Sequence, residues 1–215
     1  MLKEEYVTKS LKEQNKLALY SLIIANLVVF YALLQGVDLL SDEPFELLKQ
    51  AQELLPAGLG ICLVGIVNAL VDAETKAKIV FLRRSNPLPG SRVFNPDMLE
   101  KDSRIDPQRL ERKFGSAPSK AAEQNSLWYR VYKKHSGDAS VVEAHKSFLF
   151  TRDYSVLCLL MVICFLPLAF TQIPSITVAF IYSAGMVVQL LLVMIAARNN
   201  GNRFALTVLA IESAS

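Results

Sequence analysis

The chain has 215 residues, 52% of them hydrophobic, and carries 23 Lys and Arg against 20 Asp and Glu, for a formal net charge of +3. Its mean hydropathy is +0.31. The apolar residues are gathered into four blocks rather than spread along the chain, which excludes an ordinary soluble domain of this length.

The four blocks are 17–34, 54–71, 155–170 and 176–197, each free of Lys, Arg, Asp and Glu over 16 to 22 residues. A helix needs ~20 such residues to cross ~30 Å of hydrocarbon, so the sequence predicts an all-α membrane protein with four transmembrane helices in two hairpins. The expected units are an N-terminal helix at 1–16, a first transmembrane hairpin at 17–71, a basic segment at 72–153, a second hairpin at 154–197 and a tail at 198–215. Residues 1–16 place Leu2, Tyr6 and Leu11 roughly on one helical face. They read either as an interfacial helix or as a solvated extension of the first span, the second being favoured. No cleavable signal is expected, because the first block is long and lacks a small-residue exit site before Gln35.

The loop at 36–53 holds Asp38, Asp42, Glu43, Glu46 and Glu53 with Lys49 as its one base. Asp42 or Ser41 can cap a short helix with Pro44 in its first turn. The other 22 basic residues lie in 1–16, 72–153 and 198–215. Positive flanks mark the cytoplasmic side, which predicts an inner-membrane protein with both termini and the long middle segment cytoplasmic. The second block is rich in small residues. Gly65 and Ala69 there, and Ala179 and Ser183 in the fourth, form small-x-x-x-small patches expected to pack helices closely and to hold a homo-oligomer. Asn26, Asn68 and Gln189 place amides at membrane depth, where they either bond between helices or line a polar path.

Segment 72–153 carries 16 Lys and Arg against 11 Asp and Glu. Anionic membrane lipids account for such an excess; the bases are scattered rather than striped, so direct nucleic-acid binding is not expected. Residues 74–82 are expected to continue the second span as a helix. Arg83-Arg84-Ser85-Asn86-Pro87-Leu88-Pro89-Gly90-Ser91-Arg92 then reads as a stiff turn, with Asn86 and Leu88 extended by the prolines after them. Arg83, Arg84 and Arg92 around it suit a carboxylate or phosphate, and so a soluble partner or an anion. Asp106-Pro107 starts a helix that Gly115 ends. Residues 124–134 form an aromatic helix in which Trp128, Val131 and Tyr132 share a face. Ser136-Gly137-Asp138 breaks it, and 141–150 resumes as a helix running into the third span.

Catalytic and metal signatures are not found. His135 and His145 stand ten apart across a glycine break, with no His or acid at i+4, and His145 is expected to pair with Asp153 or a backbone carbonyl. No phosphate loop, G-x-S-x-G or H-E-x-x-H occurs. Cys62, Cys158 and Cys164 all sit inside apolar blocks, which suits small fillers rather than a disulfide framework. No enzyme activity, cofactor or metal is expected.

With both termini inside, two hairpins and a long basic segment between spans two and three, the chain resembles small bacterial four-span membrane subunits of anti-phage defence systems, the Kiwa-type membrane component among them. The resemblance is one of architecture over the whole chain. It implies an oligomeric sensor or scaffold that docks a soluble cytoplasmic effector through its basic segment. A pore-forming effector that perturbs permeability on a cytoplasmic signal is the alternative, and a lipid-acting membrane enzyme a third.

Overall fold

A computed structural model describes residues 10–36 and 68–215, and among these every regular element is helical. In chain order they are α1 (Leu11–Leu34), α2 (Ala73–Phe81), a single 3-10 turn (Pro89–Ser91), α3 (Pro96–Leu99), α4 (Pro107–Phe114), α5 (Ala121–His135), α6 (Ala139–Gln172) and α7 (Ile176–Ala214). Three of them, α1, α6 and α7, are long and apolar enough to cross a membrane. The second expected span, 54–71, lies outside the described residues except for 68–71, as do residues 1–9, the loop at 37–53 and Gly65.

Local chemistry sets the helix starts. Ser10 and Glu13 close a reciprocal capping box at the head of α1, so 11–16 are the first turns of the spanning helix. Asp72 accepts hydrogen bonds from the amides of Glu74 and Thr75 at 2.8 and 3.0 Å. Its carboxylate therefore starts α2 afresh, and 74–82 do not continue the second span. Asp106 caps α4 through the Arg109 amide, Pro107 takes its first position, and Gly115 ends it at φ +75°. Asp138 caps α6 after the break at Ser136–Gly137, and α6 then runs unbroken into its apolar stretch.

Helices α6 and α7 have 34 and 39 residues. At 1.5 Å per residue they are about 50 and 60 Å long, far more than ~30 Å of hydrocarbon requires. Both therefore extend beyond the bilayer as a pair of rods, and α2 to α5 wrap around the extensions. The segment expected as a tail, 198–215, is the last part of α7. Phe204, Leu206, Val208 and Leu209 are buried there in the core of the membrane-proximal module, against Val80, Phe81, Trp128, Val141 and Phe148. Arg198 and Arg203 make the stretch read as polar, yet 204–211 is nearly all apolar and needs a core to cover it.

The membrane half is a smaller cluster among α1, α6 and α7. Phe30 of α1 stacks on Phe165 of α6 with centroids 4.7 Å apart and leans on Tyr182 of α7 at 5.4 Å. Ile181, Val188, Leu192 and Ile195 of α7 are exposed, as side chains facing lipid are.

Gly201 lets the two halves of the module meet. A Cβ at this position would stand 2.7 Å from Phe81 Cζ and 2.9 Å from Phe148 Cε2, whereas one at Gly185 on the same helix meets nothing within 4 Å. Gly201→Val is therefore expected to cost about 1–3 kcal/mol by overpacking, read as a lowered melting temperature in detergent. Gly185→Ala should leave that temperature within experimental error or raise it. Equal melting of the two variants would remove Gly201 as the point of close approach.

Candidate functional site

The arginine-rich turn is built by its own backbone. Leu82 ends α2 in the left-handed region at φ 50°, and Asn86 takes φ 47°. Asn86 is thus not extended as its proline neighbour suggested; Asn tolerates this region better than most residues. Leu88 is extended as expected, at φ −68° and ψ 144°. The Ser91 amide and hydroxyl both donate to the Leu88 carbonyl, at 3.1 and 2.8 Å, and the Arg92 amide donates to Pro89 at 3.0 Å.

Arg92 braces this turn from inside. Its Nη1 donates to the carbonyls of Pro87 and Leu88 at 3.3 and 3.4 Å, and its guanidinium lies 5.0 Å over the Phe81 ring. Burial, with the nearby charge of Arg83, pushes its pKa below the ordinary arginine value. The three-arginine anion site expected from sequence is therefore reduced to Arg83 and Arg84, which are exposed, because the third guanidinium is already engaged by carbonyls and an aromatic face.

The turn forms one wall of a cavity of about 670 Å³. The facing wall is α5, with Asn125, Trp128, Tyr129, Tyr132 and Lys133. His145, Phe148 and Arg152 of α6 and Gly201 and Phe204 of α7 complete it. Gly90 allows the turn to approach this wall: a Cβ there would fall 2.7 Å from Asn125 Oδ1 and 2.8 Å from the Trp128 ring. The Trp128 indole donates to the Ala205 carbonyl at 3.1 Å, which fixes the ring that forms the cavity's back. Asn125 Oδ1 is buried with no hydrogen-bond partner, so a donor on an occupant could satisfy it.

His145 does not meet Asp153. Its Nδ1 shares a hydrogen bond with the Tyr132 hydroxyl at 3.2 Å, and its ring stacks on Phe204 at 4.5 Å. It belongs to the part of α6 before the charge-free stretch. Burial, reinforced by the charge of Arg152, lowers its pKa to about 4. The imidazole is therefore neutral at pH 7 and serves as an aromatic wall.

Two buried carboxylates gather cations around them. Asp153 Oδ1 accepts from Arg152 Nε and Nη2 at 2.9 and 2.8 Å and from Lys76 Nζ at 3.3 Å, and Arg152 also lines the cavity. Lys76 also donates to Asn68 Oδ1 at 2.7 Å. Glu212, near the end of α7, accepts from Lys134 and Lys113 and pairs with His135. Neither cluster is legible in the sequence: apart from Arg152, which adjoins Asp153, the cations that hold the two carboxylates lie 77 residues or more from them in the chain, and only the apolar run at 204–211 hints that Glu212 is drawn inside.

Of the three amides, Asn26 and Gln189 bond between helices. Asn26 donates to the Leu22 carbonyl at 2.8 Å and to the Tyr154 hydroxyl at 3.4 Å, and Gln189 donates to the same hydroxyl at 2.5 Å. Tyr154 thus ties α1, α6 and α7 together, a role not read from the sequence. Ala179 and Ser183 are buried inside the chain, so these small residues serve intrachain packing and are not free to hold a second copy. Ala69 is exposed. Among the described residues, no three His, Cys, Asp or Glu side chains are placed to share a metal ion.

Comparison of the chain with protein-family models, with curated proteins and with solved structures finds no match.

Proposed function

We propose that the protein is a membrane-anchored sensor or scaffold whose helical module docks a soluble partner at Arg83, Arg84 and the aromatic cavity beside them. The observation that carries this reading is the cavity's construction. Two of its walls, α6 and α7, are the same unbroken helices that are long and apolar enough to cross the membrane. An occupant would touch rods that run into the bilayer, so occupancy and membrane state become coupled through rigid elements. The paired exposed guanidiniums select for carboxylate or phosphate, and the aromatic walls for an apolar or aromatic side chain. The partner is thus an acidic protein segment with an apolar anchor. The setting that suits it is the cytoplasmic face of a bacterial inner membrane, in antiviral defence, where the architectural likeness lies.

Photocrosslinking tests it. A benzoylphenylalanine at Tyr129, which is exposed and lines the cavity, should capture one discrete soluble protein in cells. Arg83→Gln with Arg84→Gln should reduce that adduct at least tenfold, since each charge-assisted hydrogen bond contributes about 1.5–3 kcal/mol. Lys at both positions keeps charge but not the fork, so capture retained by Lys would show that charge alone recruits the partner. An adduct unchanged in the double Gln variant would overturn the docking role.

A further inference from the structure

A second cavity, of about 300 Å³, opens between α1, the 68–71 segment, α2 and α6. It differs in chemistry from the aromatic one and shares no lining residue with it. Lys12 and Lys16 stand one turn apart on α1, with Tyr20, Leu19 and Ile23 below them. Lys76 reaches in from α2 and is 4% exposed. Leu157 of α6 continues the apolar side, and Asp153 is the one carboxylate in the lining among the described residues. That carboxylate is already held by Arg152 and Lys76.

The charges therefore do not balance. Lys12, Lys16 and Lys76 line the cleft with Asp153, the one carboxylate among its described lining residues, and Arg152 also holds that carboxylate. Lys12 lies near enough to Lys76 for its charge to add to burial in lowering the pKa of that ammonium. A buried ammonium facing two further cations is costly unless an anion joins them. Asn68 and Asp153 take two of the three donors on Lys76, which leaves a third for such an anion. The cavity is also graded along the membrane axis. Its cationic end lies before the charge-free stretches of α1 and α6, and its apolar end, at Ile23 and Leu157, lies inside them. A headgroup phosphate at the lysines with an acyl chain along Leu19, Ile23 and Leu157 matches that gradient, whereas a free phosphate would use only one end.

We propose that this cleft is a binding site for the phosphate of an anionic phospholipid, held by Lys12, Lys16 and Lys76 at the membrane boundary. It is independent of the partner-docking reading, which rests on Arg83, Arg84 and the other cavity. Arg152 borders both sites: it lines the aromatic cavity and holds the carboxylate of the cleft.

The test titrates the detergent-solubilised full chain with dioctanoyl phosphatidylglycerol, dioctanoyl phosphatidylcholine or glycerol 3-phosphate, reading bound species by native mass spectrometry. Saturable binding of phosphatidylglycerol is expected, at least tenfold tighter than that of phosphatidylcholine. Lys12→Gln with Lys16→Gln, both at exposed positions, should weaken it at least tenfold with no change in melting temperature. The charge-matched pair Lys101→Gln and Lys120→Gln, away from the cleft, should leave it unchanged. Equal affinity for the two lipids, or equal weakening by the two pairs, would overturn the site and leave only general surface attraction. Displacement of phosphatidylglycerol by an equal concentration of glycerol 3-phosphate would overturn the lipid assignment in favour of a soluble phosphate.

Discussion

Glu212→Gln is expected to destabilise the protein in detergent by about 3 kcal/mol at pH 7. The carboxylate is 3% exposed. It accepts from Lys134 Nζ at 3.0 and 2.8 Å and from Lys113 Nζ at 3.3 Å, and it pairs with His135. Lys113 also donates to the Glu212 backbone carbonyl at 2.6 Å, at the negative end of the α7 dipole. One side chain therefore anchors both α4 and α5 to the end of α7. Burial alone would raise its pKa, but the hydrogen bonds from Lys134, His135 and Lys113 outweigh that and hold it at about 2, against an ordinary 4.5. A depression of that size corresponds to about 3 kcal/mol at 1.36 kcal/mol per pH unit. Because the folded pKa lies below the unfolded one, the contribution is complete above pH 4.5 and is lost as pH falls towards 2. Melting temperatures at pH 7, 4 and 2.5 should show the wild type losing its advantage over the Gln variant across that window. A Gln variant that melts with the wild type at pH 7 would mean the cluster contributes nothing net.

Asp153→Ala should be more damaging, at about 3–5 kcal/mol, while Lys76→Met should cost little. All three charged side chains of this cluster are almost wholly buried, at 6% exposure for Lys76 and Arg152 and 8% for Asp153. Removing the carboxylate leaves two cations facing each other out of water, which is the expensive direction. Removing Lys76 leaves the Arg152–Asp153 pair intact, with two hydrogen bonds at 2.9 and 2.8 Å. Met occupies similar volume without a charge to desolvate, and burial already disfavours the Lys76 ammonium. Thermal melting of the two single variants decides it. A Lys76→Met variant as unstable as Asp153→Ala would show that the lysine, rather than the arginine, is the partner Asp153 depends on.

The long charge-free stretches made α1, α6 and α7 legible as helices of membrane length. The expected second span, 54–71, falls outside the described residues except for 68–71, and the structure supports the coarser statement of three such helices. Turn chemistry was equally readable at Asp106-Pro107 with Gly115, and at Ser136-Gly137-Asp138, where caps and breakers act within four residues of themselves. A residue whose partner is distant, or whose role is packing, was not legible in this way. Arg92 looked like a third phosphate ligand, because nothing in its neighbours shows that Phe81 lies beneath it. His145 is expected to meet Asp153 or a backbone carbonyl, yet eight residues of helix set it about 12 Å along the axis from Asp153, and the fold gives it to Tyr132 and Phe204.

Sequence by itself determined which described segments are apolar enough to leave water and where α4, α6 and α7 begin, because hydrophobic partition and capping depend on residues within a turn or two. Tertiary structure alone decided that 198–214 is a core helix rather than a tail, that Glu212 draws three basic groups from two other helices, and that two unlike cavities form, Arg152 lining one and holding the carboxylate of the other. A buried charge is stable only where distant groups converge to neutralise it, and a cavity exists only between elements. Neither is a property of any single stretch of chain.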